Sequence, residues 1–353
     1  MPTNKPIRTF FILGLPRSGT TLLEQMLDQH TRVKVCPEMA TGLALWRLNA
    51  SQIIKDKWKH LLLLNYIYDR VSYFKTSMTE CLADQAVREF DFPVKTTDWF
   101  TPVIQDFVNE KQADLYGEKT PENLWYLNEL QKAFPGSKFI ILLRHPMDVI
   151  YSIYENAKHL VSSATSRKDI LKVVKPIIKR DLNTMLKYKN NFRPEYKFVK
   201  YEDLILEPQV VLKQICSFLG IEFEPQMLDY QNKKKFSERG EDMQKIHTLL
   251  NEPVHTSRIN RSFQLMDAEE LLFLNEYLKD ELKNLDYPSA PAHLALSPQI
   301  RIKVFMAKLK YQLKLDLIDG LWRKLRFQVH AALLANLSWL PIRNRLMNRF
   351  VFK

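Results

Sequence analysis

Short apolar runs alternate with longer segments of helical periodicity along most of the chain. The runs predict strands at Thr9–Leu13, Val33–Val35, Lys138–Leu143 and Tyr196–Val199. Strands that alternate with helices favour an α/β fold, with a mostly parallel sheet flanked by helices on both faces. The first helix expected between strands has two faces, with Leu22, Leu23, Met26 and Leu27 on the apolar side and Glu24, Gln25, Asp28 and Gln29 on the polar side.

Later segments continue the helical pattern. Apolar spacing predicts a helix that begins near Val149, a longer one over Ile170–Lys187, and another over Val210–Leu219 that ends at Gly220. The segment Tyr287–Pro298 has three prolines in twelve residues and predicts a domain boundary. We therefore expect one domain over residues 1–290 and a separate extension over residues 291–353.

The extension is predicted to be helical and basic. Its apolar positions share one helical face, although Leu309–Leu317 also alternates as a strand would. Helix is the preferred interpretation because Leu, Lys, Gln and Met are good helix formers. The residues of the apolar face are Ile302, Met306, Leu309, Leu313 and Leu317.

The net charge of +12 is concentrated in this extension. Residues 301–353 contain 12 Lys and Arg against two Asp, so residues 1–300 carry a net charge of only +2. A basic tail on a nearly neutral body argues against nucleic acid as a partner of the whole protein.

Cysteine usage and hydropathy limit the cellular compartments in which we expect the protein. The three cysteines are far apart and form neither a disulfide framework nor a zinc motif, which fits a reducing compartment. The chain shows no secretory signal pattern and no apolar run long enough to span a bilayer. We expect a cytoplasmic protein, or one that is peripheral to a membrane.

The loop between the first strand and the first helix predicts an anion site. Gly14 and Gly19 allow a tight turn, so that several backbone N–H groups point into one concavity at the positive end of the helix. Arg17 adds a forked cation, whereas the lysine of nucleotide-triphosphatase loops is replaced by Thr20. The expected phosphate ligands are Arg17, Ser18, Gly19, Thr20 and Thr21.

The string LPRSGTTLLEQML, residues 15–27, resembles the 5′-phosphosulfate-binding loop of sulfotransferases that use 3′-phosphoadenosine 5′-phosphosulfate (PAPS). It is most similar to the loop of the tyrosylprotein-type and related bacterial enzymes. The resemblance extends over about residues 7–290. It implies a P-loop α/β fold, PAPS as sulfuryl donor, its release as 3′-phosphoadenosine 5′-phosphate (PAP), and no metal.

Three later segments resemble other cofactor-binding parts of the same family. FIILLRHPMDVIYSIYE supplies Arg144 and Ser152, which match the arginine and serine that hold the 3′-phosphate. In VKYEDL, Tyr201 matches a tyrosine near the adenine. EPVHTSRINRSF resembles the late loop that closes over the cofactor, and implies Ser257 and Arg261 as ligands.

The resemblance also implies the reacting groups. Glu38 follows Arg17 by 21 residues, the spacing of the catalytic glutamate in tyrosylprotein-type enzymes, and would take the acceptor proton. Lys119, in YGEKTPENL, matches the family lysine near the bridging oxygen and would stabilise the leaving phosphate together with Arg17. His30 is the rival base, but it lies at the end of the first predicted helix.

The acceptor remains open between a peptide tyrosine, a saccharide, a lipid and a small molecule. The aromatic-rich segment Trp46–Thr101 is consistent with a helical core, an acceptor pocket or a lid. Two other functions stay open: a P-loop kinase that uses ATP and magnesium, and a non-catalytic nucleotide-binding scaffold. Residues 299–353 predict contact with a membrane surface, a partner such as a second copy, or the chain's own core.

Overall fold

The computed structural model describes residues 8–72, 76–160, 167–231, 256–289 and 297–312. The chain divides into two compact units, Met1–Ala292 and His293–Lys353. The described part of the second unit includes a helix over residues 298–312. Helix was therefore the right choice for residues 298–312 of the extension, whereas Leu313, Leu317 and the rest of the tail lie outside the described residues.

A five-stranded, fully parallel sheet lies at the centre of the first unit, in the order β2–β5–β1–β6–β7. A two-stranded antiparallel pair, β3–β4, lies apart from it. The described strands are β1 (Arg8–Gly14), β2 (Val33–Pro37), β3 (Ile53–Ile54), β4 (Val94–Lys95), β5 (Leu115–Lys119), β6 (Lys138–Leu143) and β7 (Tyr196–Lys200).

Helices connect the strands and continue after the last one. They are α1 (Thr20–Asp28), α2 (Thr41–Leu48), α3 (Lys57–Ser72), α4 (Met78–Val87), α5 (Thr96–Asn109), α6 (Leu127–Ala133), α7 (Pro146–Leu160), α8 (Arg167–Asn190), α9 (Tyr201–Leu206), α10 (Pro208–Leu219), α11 (Arg261–Leu265), α12 (Ala268–Tyr277) and α13 (Lys279–Asn284). Short 3₁₀ helices cover Pro121–Tyr126, Pro225–Leu228 and Thr256–Arg258.

The central strand β1 places apolar side chains on both faces of the sheet. Phe10 and Ile12 join a core that includes the buried faces of α1, α9 and α10. Phe11 points to the other face, where its ring stacks on Phe139 at 5.5 Å and meets Phe134 at 5.3 Å. Because a strand alternates its side chains with period two, this run of apolar residues requires cover on both sides. The expected α/β fold with a parallel sheet is confirmed.

All four predicted strands are present, but sequence reasoning missed β5, which lies directly beside β1. Its sequence LYGEK lacks the apolar run of a buried strand. The polar residues are accommodated by specific neighbours. Gly117 leaves room for the ring of Phe10, since a Cβ there would lie 2.4 Å from the ring. The buried Glu118 carboxylate accepts hydrogen bonds from Thr120 and Asn123.

The predicted polar face of α1 is wrong in one respect, because much of it is shielded from solvent. Glu24, Gln25 and Asp28 are all buried. Asp28 accepts a hydrogen bond from the backbone N–H of Val35 at 2.8 Å, which ties the helix to β2. Glu24 faces the site described below. Among the described residues, no helix is long and apolar enough to cross a membrane.

Candidate active site

The glycine loop joins the end of β1 to the start of α1 at the carboxyl edge of the sheet. Arg17 and Gly19 both have left-handed backbone conformations, with φ of 68° and 91°. A Cβ on Gly19 would lie 2.4 Å from the ring of Tyr201, so only glycine fits at this position. The loop therefore packs directly against the tyrosine that the sequence placed beside the cofactor.

The hydroxyl residues of the loop differ in their surroundings. Ser18 is fully buried, and its hydroxyl donates to the carbonyl of Leu15 at 2.6 Å, so it shapes the loop from within. Thr20 and Thr21 are buried in the first turn of α1. The N-terminus of this helix concentrates N–H donors and the positive end of the helix dipole at the loop.

Arg17 and Arg144, which the sequence assigned to two different phosphates, meet beside the loop. The Arg17 Nε lies 3.4 Å from the hydroxyl oxygen of Ser152. Arg144 donates to the carbonyl oxygens of Arg17 at 2.7 Å and Arg258 at 2.9 Å, and its guanidinium lies 4.4 Å from the centre of the Tyr201 ring. Four sequence-predicted residues are thus gathered within one cluster.

The cluster is strongly positive. Burial, together with the neighbouring charges of Arg144 and Arg258, lowers the pKa of Arg17 to about 10. Like charges held this close destabilise one another unless an anion lies between them. The Nε of Arg144 is also buried without a hydrogen-bond partner among the described residues. Both features favour a bound polyanion.

Helix α7 holds a late segment of the chain, residues 256–263, against this cluster through two acidic residues. Asp148 accepts hydrogen bonds from the backbone N–H groups of Asn260 and Ser262, each at 2.8 Å. Glu155 forms ion pairs with Arg258 at 3.0 Å and Arg261 at 2.8 Å. Ser152 lies between these acids, at positions i, i+4 and i+7 of one helical face.

The segment over residues 256–263 carries two of the predicted cofactor ligands, Ser257 and Arg261. Arg261 lies on the Glu155 side of the cluster, and Ser257 is exposed next to Arg258. Arg258 was missed by sequence reasoning, although its carbonyl is bound by Arg144 and its charge lowers the pKa of Arg17. The acidic residues at helical spacing on α7 were the signal that could have identified it.

Glu38 and Lys119 form the centre of a second group at the same edge of the sheet. Their strands are neighbours, with Pro37 paired to Lys119, and the Glu38 N–H donates to the Lys119 carbonyl at 2.7 Å. The side chains meet as well, with 2.6 Å between Lys119 Nζ and Glu38 Oε1. Glu38 has a φ of 27°, a strained backbone conformation of the kind that clusters at functional sites.

A third member of this group, Glu24, was missed because it was assigned to a solvated helix face. Its Oε2 lies 3.5 Å from Lys119 Nζ, which is itself fully buried. The ammonium of Lys119 therefore lies between two carboxylates, as a buried charge requires partners. Glu118, the neighbouring carboxylate on β5, is fully buried, and burial raises its pKa.

His30, the rival base, is placed in a structural role. It precedes β2, at the edge of the sheet opposite to Glu38. Its Nδ1 accepts the N–H of Arg32 at 3.0 Å, and its Nε2 donates to the carbonyl of Glu222 at 2.8 Å. Both ring nitrogens are thus engaged away from the arginine cluster.

A further group of charged residues is linked to Glu38 through Glu122, whose charge interacts with those of Glu38 and Asp181. Asp181 on α8 accepts a hydrogen bond from the indole of Trp125 at 2.9 Å, and Arg180 lies 3.8 Å from the centre of that indole ring. Burial raises the pKa of Asp181 to about 7. Burial and the nearby charge of Glu38 also raise the pKa of Glu122.

The aromatic segment Trp46–Thr101 separates into core and surface. Trp99 is fully buried and donates to the Nδ1 of His60 at 2.7 Å, so it belongs to the core. Trp46 on α2 is partly exposed and packs 5.5 Å from Tyr126, in the 3₁₀ helix after Lys119. Among the residues that the structure describes, no three His, Cys, Asp or Glu form a group that could hold a metal ion.

A parallel α/β sheet with a glycine loop before its first helix and a Glu–Lys pair at the same carboxyl edge is typical of the P-loop class of α/β proteins. The model described as "Sulfotransferase family" matches residues 9–225. Because the match covers more than half of the chain, this protein belongs to the sulfotransferase family. It is a transferase, and the family's chemistry is sulfuryl transfer.

Two relatives and one solved structure give the range of similarity. A Caenorhabditis briggsae protein provisionally named as a protein-tyrosine sulfotransferase is 26% identical over 226 residues, which is 62% of this chain and 68% of that protein. Protein-tyrosine sulfotransferase 1 of Danio rerio is 24% identical over 65% of this chain, which spans 57% of the zebrafish protein. The sulfotransferase domain from the curacin biosynthetic pathway shares the fold, with 21% identity and a TM-score of 0.54, over 82% of this chain and 100% of that domain.

Proposed function

We propose that this protein transfers the sulfuryl group of PAPS to a hydroxyl (or amine) of an acceptor. The observation that carries the proposal is the pairing of the buried Lys119 with the partly exposed Glu38, at the same sheet edge as the arginine cluster. An anion site beside a carboxylate and an ammonium provides the parts that sulfuryl transfer needs.

The residues at the loop fit the donor. Arg17 and the N-terminus of α1 would hold the 5′-phosphosulfate, and Arg144 with Ser152 would hold the 3′-phosphate. The buried Nε of Arg144 would gain a phosphate oxygen as its acceptor. Tyr201, which packs on Gly19 and Arg144, is in position to contact the adenine. Ser257 and Arg261 would complete the site from the late segment.

When bound, PAPS supplies an activated sulfuryl group, which leaves its bridging phosphate oxygen for the acceptor oxygen as PAP departs. Glu38 accepts the proton that the acceptor hydroxyl loses. Arg17 and Lys119 stabilise the negative charge on the departing phosphate. Lys119 is paired with Glu38 in this structure, so its ammonium would have to exchange the carboxylate for the phosphate before Glu38 could take the proton.

A tyrosine-bearing peptide is the first acceptor to test, because relatives carry that substrate in their names. Saccharides, lipids and small phenols complete the panel. Glu122, whose charge interacts with that of Glu38, and its neighbours Asp181 and Arg180 are candidate contacts for such ligands.

The test is incubation of the purified protein with PAPS and each acceptor, following PAP release and product mass. We expect acceptor-dependent PAP release and a product heavier by one sulfuryl group. In parallel, PAP and ATP–Mg are compared by calorimetry, and we expect PAP to bind more tightly. Preference for ATP–Mg would instead favour the kinase alternative, and PAP binding without transfer to any acceptor would favour the scaffold.

A further inference from the structure

The helix over residues 298–312 carries two sets of apolar side chains. The buried set consists of Ile300, Val304 and Tyr311. A second set is exposed, with accessible fractions of 65% for both Ile302 and Phe305, 45% for Met306 and 43% for Leu309.

The two sets lie on opposite faces. At about 100° per residue, the three buried side chains fall within about 40° of one another. The four exposed side chains spread over about 100°, centred roughly opposite to the buried set. An amphipathic helix of a globular domain has one apolar face, so the second face remains to be explained.

Cations border the exposed face on both sides. On the same projection, Arg301 and Lys308 lie on one flank, and Lys303 and Lys310 on the other. Residues 297–312 contain no Asp or Glu. The result is an apolar ribbon between two rows of positive charge.

We propose that this face lies on the surface of an anionic lipid bilayer, parallel to the membrane plane. The apolar ribbon would enter the boundary between headgroups and acyl chains, while the flanking Lys and Arg side chains reach the lipid phosphates. Each such cation strengthens attachment to an anionic leaflet. This inference does not depend on the sulfuryl-transfer proposal.

A second copy of the chain fits this face less well. In a two-fold symmetric contact the same patch meets itself, and the flanking rows would bring cations against cations. Residues 297–312 contain no Asp or Glu that could pair with the cations of a second copy, so such a contact is electrostatically unfavourable. A bilayer rich in acidic lipid supplies the opposite charge along the whole ribbon.

The first test removes the apolar contact in the full-length protein. Ile302→Asp with Phe305→Asp should lower the partition coefficient onto equimolar phosphatidylcholine–phosphatidylserine vesicles about tenfold or more. Phe192→Asp is the matched control, since Phe192 is 66% exposed in the first unit, and it should bind as the wild type does. Circular dichroism and PAP binding check that each variant is folded.

The second test separates charge from hydrophobicity. Lys303→Glu with Lys310→Glu should weaken binding strongly, whereas Lys132→Glu with Lys279→Glu makes the same change in net charge elsewhere and should have little effect. Binding to pure phosphatidylcholine should be weak for every variant, and salt should weaken binding to the mixed vesicles. Equal vesicle binding by the Ile302/Phe305 variant and the wild type would overturn the proposal. So would a dimer in sedimentation velocity that this variant abolishes without a change in lipid binding.

Discussion

In the proposed function the site has a donor side and an acceptor side, and the two are built in different ways. The donor side is specified by two short motifs, and its side chains are locked by the sharp turn at Gly19 and by the contacts of Arg144. The acceptor side is assembled from Glu38, the 3₁₀ helix that carries Trp125, and Asp181 on α8. A fixed cradle of this kind suits the bound polyanion that is proposed as the donor.

Their electrostatics differ as well. The donor side is a cluster of arginines, in which burial and mutual repulsion lower the pKa of Arg17 to about 10. The acceptor side mixes Arg180 with carboxylates, one of which, Asp181, has its pKa raised to about 7 by burial. The donor side should therefore be insensitive to pH near neutrality, and the acceptor side should respond to it.

The largest effect is expected on the donor side. Arg17→Ala should reduce turnover by about 10³-fold or more, because the cation proposed to stabilise the leaving phosphate is lost. Lys119→Met, which keeps the volume of the side chain, should do the same. Arg32→Ala is the control, since Arg32 pairs with Asp114 at the surface. Wild-type turnover by Arg17→Ala or by Lys119→Met would show that the replaced cation takes no part in the chemistry.

Replacing the base tests the boundary between the two sides. Glu38→Gln should lower kcat by about 10²–10³-fold and leave PAP affinity nearly unchanged, because only the proton acceptor is lost. Assays of product formation over time measure kcat, and calorimetry with PAP measures the affinity. Glu110→Gln is the matched control, as it alters a Glu–Lys pair, with Lys34, outside the site. Unchanged turnover would remove Glu38 from the mechanism.

A smaller effect on turnover is expected at Glu24, whose Oε2 lies 3.5 Å from Lys119 Nζ. Glu24→Gln should lower kcat about tenfold, because the ammonium loses one of its two carboxylate neighbours and is less well positioned. Glu24→Asp should recover part of the loss. Asp28→Asn, one turn further along α1, keeps its hydrogen bond to Val35 and should leave kcat unchanged. If Glu24→Gln and Asp28→Asn lower kcat equally, the effect is structural and Glu24 does not position Lys119.

The smallest effect on turnover is expected at Asp181, where the readout is stability. Its pKa is higher in the folded protein than in the unfolded chain, so the folded state holds the proton more tightly between about pH 4 and pH 7. Its contribution to stability is therefore present at low pH and is lost as the pH rises through about 7. Asp181→Asn should be more stable than the wild type by about 1–3 kcal/mol at high pH, and the difference should shrink on acidification. Denaturant titrations of both proteins across this range measure it, and a difference independent of pH would refute the assignment.

How far the sequence predicted the site depends on how local each contact is. The loop, Arg144 and Ser152 were found because each motif lies within one strand–turn–helix unit. Strand β5 was missed because its burial of Gly117 and Glu118 depends on Phe10 and on residues after the strand. The role of Glu24 was missed for a similar reason. Its position on the polar face of α1 predicted a solvent-exposed side chain, and only the contact with Lys119 of β5 explains why it is buried.

The pairing of Pro37 with Lys119 has a consequence for how such a protein changes over time. The chain between β2 and β5 leaves the sheet after Pro37, at the carboxyl edge, and re-enters it at Leu115, at the opposite edge. The parallel pairing of β5 with β2 then brings Lys119, at the end of β5, beside Glu38. Segments α2 to α5 can therefore lengthen, shorten or be exchanged as a cassette while the reacting pair stays in register. New acceptors would then be reached by replacing this cassette, with the chemistry inherited intact.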